Sequence, residues 1–296
     1  MASAELKAVV EMLRTNNPLA GDTIMEQRAA MVAATGNLPR PDDVGYERVK
    51  ANGVPSEWVT APESSDDRVV VYFHGGAYVM GSIDSHRGLC TRLARAAGAR
   101  VLSVDYRLAP EHAFPAAVDD AVAAWRHVLE AGVAPERCAF AGDSAGGGLT
   151  AAALIAVRDA GLPLPAAAAC ISPWLDLTLS AGTLKTKLDE DPLVTVDNLL
   201  RPAAEAYLAG ADAKTPTASP IFAELAGLPA LLVQVGTAEI LLDDARSFAE
   251  RAKAAGVEVE LEVAQDMFHV WHAFADILPE GGEAIERIAT FFRKHW

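Results

Sequence analysis

Residues 137–160 read RCAFAGDSAGGGLTAAALIAVRDA. A short apolar run, Arg137–Gly142, passes within a few residues into an alanine-rich helical pattern, Gly146–Ala160. Between them stands Gly142-Asp143-Ser144-Ala145-Gly146, a G-x-S-x-G sequence set between strand and helix. The five letters alone arise by chance in a chain rich in Gly and Ala; the strand before and the helix after give them meaning. A sharp strand-to-helix turn pushes a serine hydroxyl out above a sheet. It also crowds backbone against backbone, so small residues must flank it, and Gly142, Ala145 and Gly146 do. The helix N-terminus then offers the Ala145 N–H to a developing negative charge. Ser144 is therefore a candidate nucleophile.

Outward from this stretch the chain alternates. Strand-like runs at Arg68–Phe73, Arg100–Val104, Ala166–Ser172, Ala230–Val235 and Val257–Val263 are separated by helical patterns at Ser85–Ala97, Ala116–Ala131 and Asp243–Ala255, and Gly282–Trp296 closes the chain as a helix. Apolar strands alternating with helices predict an α/β fold with a mostly parallel sheet covered on both faces. Two stretches break the pattern. Residues 1–40 read as helices ahead of the first strand, and 173–220 form a long excursion between two strands. Together they are expected to make a two-part helical cap, with residues 41–172 and 221–296 forming the catalytic unit.

A serine nucleophile needs a base, an acid to orient that base, and donors for an oxyanion. His74-Gly75-Gly76-Ala77-Tyr78 follows the strand that ends at Phe73, and its glycines let backbone N–H groups turn into a cavity. Seven histidines are available. His127 lies in a helical pattern and His295 at the C-terminus, both expected at the surface. His269 follows the last strand, at the same sheet edge as the Ser144 turn, and is the preferred base, with His272 as runner-up. The acid should follow a strand between Ser144 and His269. Glu239 is the first acid past Ala230–Val235. Asp243, about a turn later, is the fallback, although an acid there commonly caps the next helix.

These motifs occur in a fixed order: HGGAY at 74–78, DYRLAPEHAFPAAVDDA at 105–121, GDSAGGGL at 142–149, the acid loop, and FHVWH at 268–272. Together they resemble the bacterial hormone-sensitive-lipase-like (family IV) esterases of the α/β-hydrolase superfamily, from about Val59 to the C-terminus. The resemblance implies an α/β-hydrolase fold and hydrolysis of short-chain esters without cofactor or metal. It further implies Ser144, Glu239 and His269 as triad and Gly76, Ala77 and Ala145 as oxyanion donors, with Gly75 shaping the turn. It also implies that two copies can pair through the last strand. Two positions depart from the family pattern. HGGG is usual where Ala77 stands. A φ above zero there would strain alanine by about 1 kcal/mol, and the expectation is instead that the backbone accommodates the methyl group, which narrows the acyl pocket. The acid is more often Asp before Pro-Leu, where this chain has Glu239 before Ile240-Leu241.

Tyr78, Asp143 and Trp174 are weaker candidates for contact with substrate. An apolar Trp is more often core, and Asp143 has a second reading as a structural partner of the turn or of the HGGAY loop. Arg107 and Glu111 are expected to hold their loop through ion pairs.

Composition sets the outer limits. Lys and Arg total 25 against 40 Asp and Glu, a net charge of −15, which disfavours nucleic acid and anionic lipid surfaces as partners. The three cysteines, Cys90, Cys138 and Cys170, are widely spaced and form no metal motif. The opening MASAELKAVVEMLRTNNP reads as an amphipathic helix rather than a signal peptide, and no apolar stretch is long enough to span a membrane. The expected location is the cytoplasm and the expected partner a small ester. Alternatives are an amidase, deacetylase or lactonase with the same triad, a long-chain lipase, or a non-catalytic binder of a small ligand under the cap.

Overall fold

The computed structural model describes residues 2–36 and 40–296. The expected boundary near residue 40 abuts residues 37–39, which lie outside the described residues, as does Met1. Strands β1 (Gly45–Ala51), β2 (Val54–Thr60), β3 (Ser65–Phe73), β4 (Ala99–Val104), β5 (Cys138–Asp143), β6 (Ala167–Ile171), β7 (Ala230–Gly236) and β8 (Val259–Ala264) form one sheet. Its order is β1-β2-β4-β3-β5-β6-β7-β8. From β4 to β8 all neighbours run parallel. β2 pairs antiparallel with both β1 and β4.

Side chains alternate across each strand, so the sheet has two packed faces. Val69, Val71 and Phe73 of β3 share a core with α4 (Ala116–Glu130), α5 (Ala145–Asp159) and α8 (Leu242–Ala254). Val70 and Tyr72 pack on the other side with α3 (Ile83–Ala97) and α9 (Pro279–His295). Burial of Val69–Phe73 is complete, as a central parallel strand covered on both faces requires. Helix α3 is delimited by local chemistry. Ser82 and Ser85 form a reciprocal capping box at its start, and Gly98 closes it in the left-handed conformation at φ +61°.

The β1–β2 hairpin escapes the apolar-run reading, because β1 (GYERVKA) is half-exposed and polar. Its signal is Asn52-Gly53, whose φ values of +48° and +93° make a tight turn of the kind that joins antiparallel strands.

The N-terminal helices are α1 (Ala4–Thr15), capped by Ser3, and α2 (Ile24–Thr35), capped by Thr23 and Glu26. The excursion after β6 is only partly helical. It holds a single turn, α6 (Thr183–Thr186), a wide turn at Val196–Leu200 and α7 (Arg201–Leu208). The two segments are tied together: Asn17 donates to Leu193 O (3.0 Å), and Gln27, itself buried, donates to Asn198 O (2.8 Å). Among the described residues no helix is long and apolar enough to cross a membrane.

Candidate active site

Ser144 sits between β5 and α5 with φ +55° and ψ −121°. A serine before a helix commonly turns its hydroxyl back onto the first-turn N–H groups. Here the N-cap side chain makes no such bond, so the strained backbone frees the hydroxyl while the Ser144 N–H is held by Ile171 O at 2.8 Å. The glycines around the turn are there for space. A Cβ on Gly142 would lie 2.2 Å from Gly146 O, and one on Gly146 would lie 2.0 Å from Phe73 O. The elbow and the end of β3 are thus pressed backbone to backbone.

The same closeness shapes the loop after β3. A Cβ on Gly75 would meet Asp143 Oδ2 at 2.2 Å, and one on Gly76, at φ +119°, would meet Met80 O at 2.3 Å. Ala77 has φ +53°. The expectation that its backbone would accommodate the methyl group without strain is corrected: the position is left-handed, which costs an L-residue about 1–2 kcal/mol. Ala145 is fully buried at the first position of α5.

His269 and Glu239 meet across two loops. His269 Nδ1 donates to Glu239 Oε2 at 2.9 Å. Burial of the ring works against its proton, and the hydrogen bond and charge of Glu239 outweigh it, so the net effect is a pKa above the ordinary histidine value. Glu239 is wholly buried, and its other oxygen accepts from Ser172 Oγ (2.9 Å) and Gly236 N–H (2.6 Å). Ser172 also accepts from the Val270 N–H at 3.1 Å. Ser172 is a residue the sequence reading passed over; its only signal is its place directly after β6. Val270 stands at φ +52°, a costly conformation for a β-branched side chain.

Asp243, the fallback acid, is turned away. It accepts from the Thr183 N–H at 3.0 Å and so anchors α6. Asp191 lies closer to the site: its Oδ2 accepts from the Ile240 N–H at 3.1 Å, beside Glu239, and its Oδ1 accepts from Leu193 and Val194. His272 donates to Gln234 Oε1 at 2.8 Å, and burial pushes its pKa down to about 3.

Ser144 and His269 line one cavity of about 210 Å³, together with Gly76, Ala77, Asp143 and His86. Its apolar wall comes largely from Leu19, Met31, Leu193, Leu199, Leu200 and Phe274. Tyr78 and Trp174 are not in that wall, which corrects their expected contact with substrate. Tyr78 is 1% exposed and stacked on Tyr207 at 4.0 Å, and Trp174, also 1% exposed, donates to Asp176 O. Both are core side chains under the site. Asp143 reaches the cavity, yet its carboxylate is engaged by Tyr72 OH, the Gly75 N–H and His86. Arg107 pairs with Asp120 and Glu111 with Arg28. Among the described residues no group of three or more His, Cys, Asp or Glu is placed to hold a metal ion.

The sequence profile of an α/β hydrolase fold family matches residues 70–273. This chain belongs to that α/β-hydrolase family. It is 48% identical to an acetyl-hydrolase of Streptomyces hygroscopicus over 99% of this chain and 97% of that one. It is 34% identical to an esterase of Acinetobacter venetianus over 86% and 84%. A crystal structure of an esterase from the bacterial hormone-sensitive lipase family superposes with a TM-score of 0.96 at 50% identity, covering 100% of this chain and 99% of that one. These relatives are named as ester hydrolases, and the structural likeness covers both N-terminal helices and the 173–220 excursion as well as the sheet.

Proposed function

We propose that this α/β-hydrolase is a serine carboxylesterase for small acyl esters. Ser144 attacks the ester carbonyl, and His269 accepts its proton. Glu239 holds the His269 Nδ1–H, fixing the tautomer that leaves Nε2 to act as base and balancing the imidazolium that forms. The N–H groups of Gly76, Ala77 and Ala145 receive the oxyanion; one such donor contributes about 3–4 kcal/mol. His269 then protonates the departing alcohol, and water activated by the same ring releases the acid.

The observation that carries the reading is the buried His269–Glu239 bond at 2.9 Å in a cavity shared with a serine whose hydroxyl caps nothing. The small apolar cavity and a relative named acetyl-hydrolase support short acyl groups, acetyl among them, and esters ahead of bulky lipid. Residues 1–40 and 173–220 serve as the cap, since both supply apolar wall. The half-exposed outer strand β8 is open to pairing with a second copy, and the three free, buried cysteines suit the cytoplasm.

Hydrolysis of p-nitrophenyl esters of rising acyl length tests the reading, with Ser144→Ala as control. Turnover concentrated on short chains and abolished in Ser144→Ala is the expected result. A folded wild type that turns over none of them sinks the esterase assignment and moves the search to amides, lactones or a ligand bound without chemistry.

A further inference from the structure

A second histidine–carboxylate pair borders the same cavity as Ser144. His86, in the first turn of α3, places Nε2 3.3 Å from Asp143 Oδ2. Its other nitrogen, Nδ1, lies 2.8 Å from Ser85 Oγ, and that hydroxyl donates to Ser82 O at 2.9 Å. The remaining carboxylate oxygen, Asp143 Oδ1, accepts from Tyr72 OH (2.6 Å) and from the Gly75 N–H (3.0 Å). The pattern is self-consistent with a proton on each ring nitrogen: Nε2 donates to Asp143, Nδ1 to Ser85, and Ser85 to Ser82. The Gly75 N–H also lies 3.2 Å from His86 Nε2, but a protonated nitrogen cannot accept, which leaves the carboxylate as its partner.

This arrangement joins two structures that must be held in register. Asp143 immediately precedes Ser144 on the elbow, and Gly75 immediately precedes the donors Gly76 and Ala77. One carboxylate therefore spans from the nucleophile turn to the oxyanion loop. A Cβ on Gly75 would strike that same carboxylate at 2.2 Å, so the loop rests directly on it. Asp143 is buried, whereas His86, its side chain 10% exposed, borders the cavity, its ring lying 5.4 Å from that of His74. A buried carboxylate left without its cation would turn or take up a proton, and the support under Gly75 would go with it.

We propose that His86 is a positioning residue for the oxyanion loop: through Asp143 it fixes the Gly75 N–H, and so the aim of the Gly76 and Ala77 N–H groups. The inference rests on the reading of those N–H groups as oxyanion donors. It predicts a defect that appears where charge develops on the substrate oxygen and not where substrate merely binds.

Three proteins test it: wild type, His86→Leu, which fills the space without donors, and His86→Gln, whose amide can still donate to Asp143. Expected for His86→Leu are a kcat on p-nitrophenyl acetate lower by about 10–100-fold, a KM within about threefold of wild type, and weaker inhibition by a trifluoromethyl ketone, whose tetrahedral adduct carries the oxyanion. His86→Gln should recover most of the kcat. Amide hydrogen exchange over residues 74–80, which needs no substrate, should quicken in His86→Leu and stay slow in His86→Gln. That readout separates this inference from the esterase reading: an inactive wild type removes the latter, while unchanged exchange in His86→Leu removes the former. Equal loss of kcat in both variants, or loss of ketone inhibition no greater than the rise in KM, also overturns it.

Discussion

Two histidine–carboxylate pairs reach the Ser144 cavity, and they differ in what is left over. Glu239 receives Ser172, Gly236 and His269, and the His269 ring is held through Nδ1 on the cavity wall. Asp143 receives Tyr72, Gly75 and His86, and the His86 ring has both nitrogens within reach of protein partners. The surroundings of the two carboxylates are alike: a hydroxyl, a backbone N–H and an imidazole each. The difference lies in the imidazole. A ring fixed at one nitrogen can exchange a proton with a substrate through the other; a ring tied at both is a strut. Sequence order hides this distinction, because both histidines stand in a loop or first turn beyond a strand, beside a motif.

The largest effects should separate the two pairs. His269→Ala should lower kcat by about 10⁵–10⁶-fold and Glu239→Gln by about 10⁴-fold, with thermal midpoints that show both variants folded. On the proposed roles, loss of His86 costs orders of magnitude less. Stopped-flow or steady-state kcat on p-nitrophenyl acetate reads the comparison directly. A His86 variant as damaged as His269→Ala would mean that the roles are shared or reversed. Gly75→Ala comes next. Its new Cβ would sit on Asp143 Oδ2, so the loop must shift, and kcat should fall by about 10²–10³-fold as a donor is lost, with KM little changed.

How far the sequence discloses these features depends on the range of the forces that set them. Strand-turn-helix context at 137–160 exposes the elbow, because the glycines and the apolar run act within a few residues of one another. The alternation of elements discloses the parallel sheet for the same reason. Glu239 and Asp243 are both acids past one strand, and only the packing of α6 on α8, which engages Asp243 with Thr183, leaves Glu239 to the histidine. Tyr78 and Trp174 look like pocket residues because aromatic side chains near a motif do; whether they face the cavity depends on Tyr207 and Asp176, far along the chain or across a turn. The apolar wall, from Leu19 to Leu200, is built where the N-terminal segment meets the 189–198 stretch through Asn17, ahead of α2, and Gln27, within it, contacts that join positions 176 and 171 residues apart. The His86–Asp143 pair was within reach: Asp143 neighbours Ser144 in the G-x-S-x-G motif, and a histidine in a first helical turn shortly after the HGGAY motif is a candidate partner.

A smaller effect concerns pH. Both His269 and His86 have pKa values raised above ordinary histidine; in each, burial lowers the value and the facing carboxylate more than restores it. Activity and stability then run in opposite directions. A base must be neutral, so kcat/KM should fall as pH drops, with a midpoint above about 6.5. A group whose folded pKa exceeds its unfolded value stabilises fully below the unfolded pKa and loses that contribution as pH rises through the folded one. The thermal midpoint should therefore decline over the interval where kcat/KM climbs. Asp143 acts at the other end: burial raises its pKa, but His86 and Tyr72 bring it down to about 2, so its contribution is present above the unfolded aspartate value and disappears as pH falls towards 2. In His86→Gln the alkaline decline should shrink while the acid limb of kcat/KM stays. A limb that moves with His86 instead would make that ring a participant in proton transfer and erase the distinction between the pairs.

The smallest expected effect tests whether strain in the loop is carried for a purpose. Ala77 holds φ +53° at a cost of about 1–2 kcal/mol for an L-residue. Ala77→Gly removes that cost but adds about 0.5–1 kcal/mol of backbone entropy lost on folding, so the net change in stability should be a gain between about 0 and about 1.5 kcal/mol. If the Gly75 N–H on Asp143 is what aims the loop, freeing Ala77 should leave kcat on acetate within about threefold. Ala77 also lines the cavity, and loss of its methyl group should favour longer acyl chains over acetate. Thermal denaturation and the chain-length profile read both outcomes. A large loss of kcat in Ala77→Gly with Asp143 and His86 intact would show that the loop is aimed by the conformation of Ala77 itself, and that the strut beneath Gly75 is secondary to it.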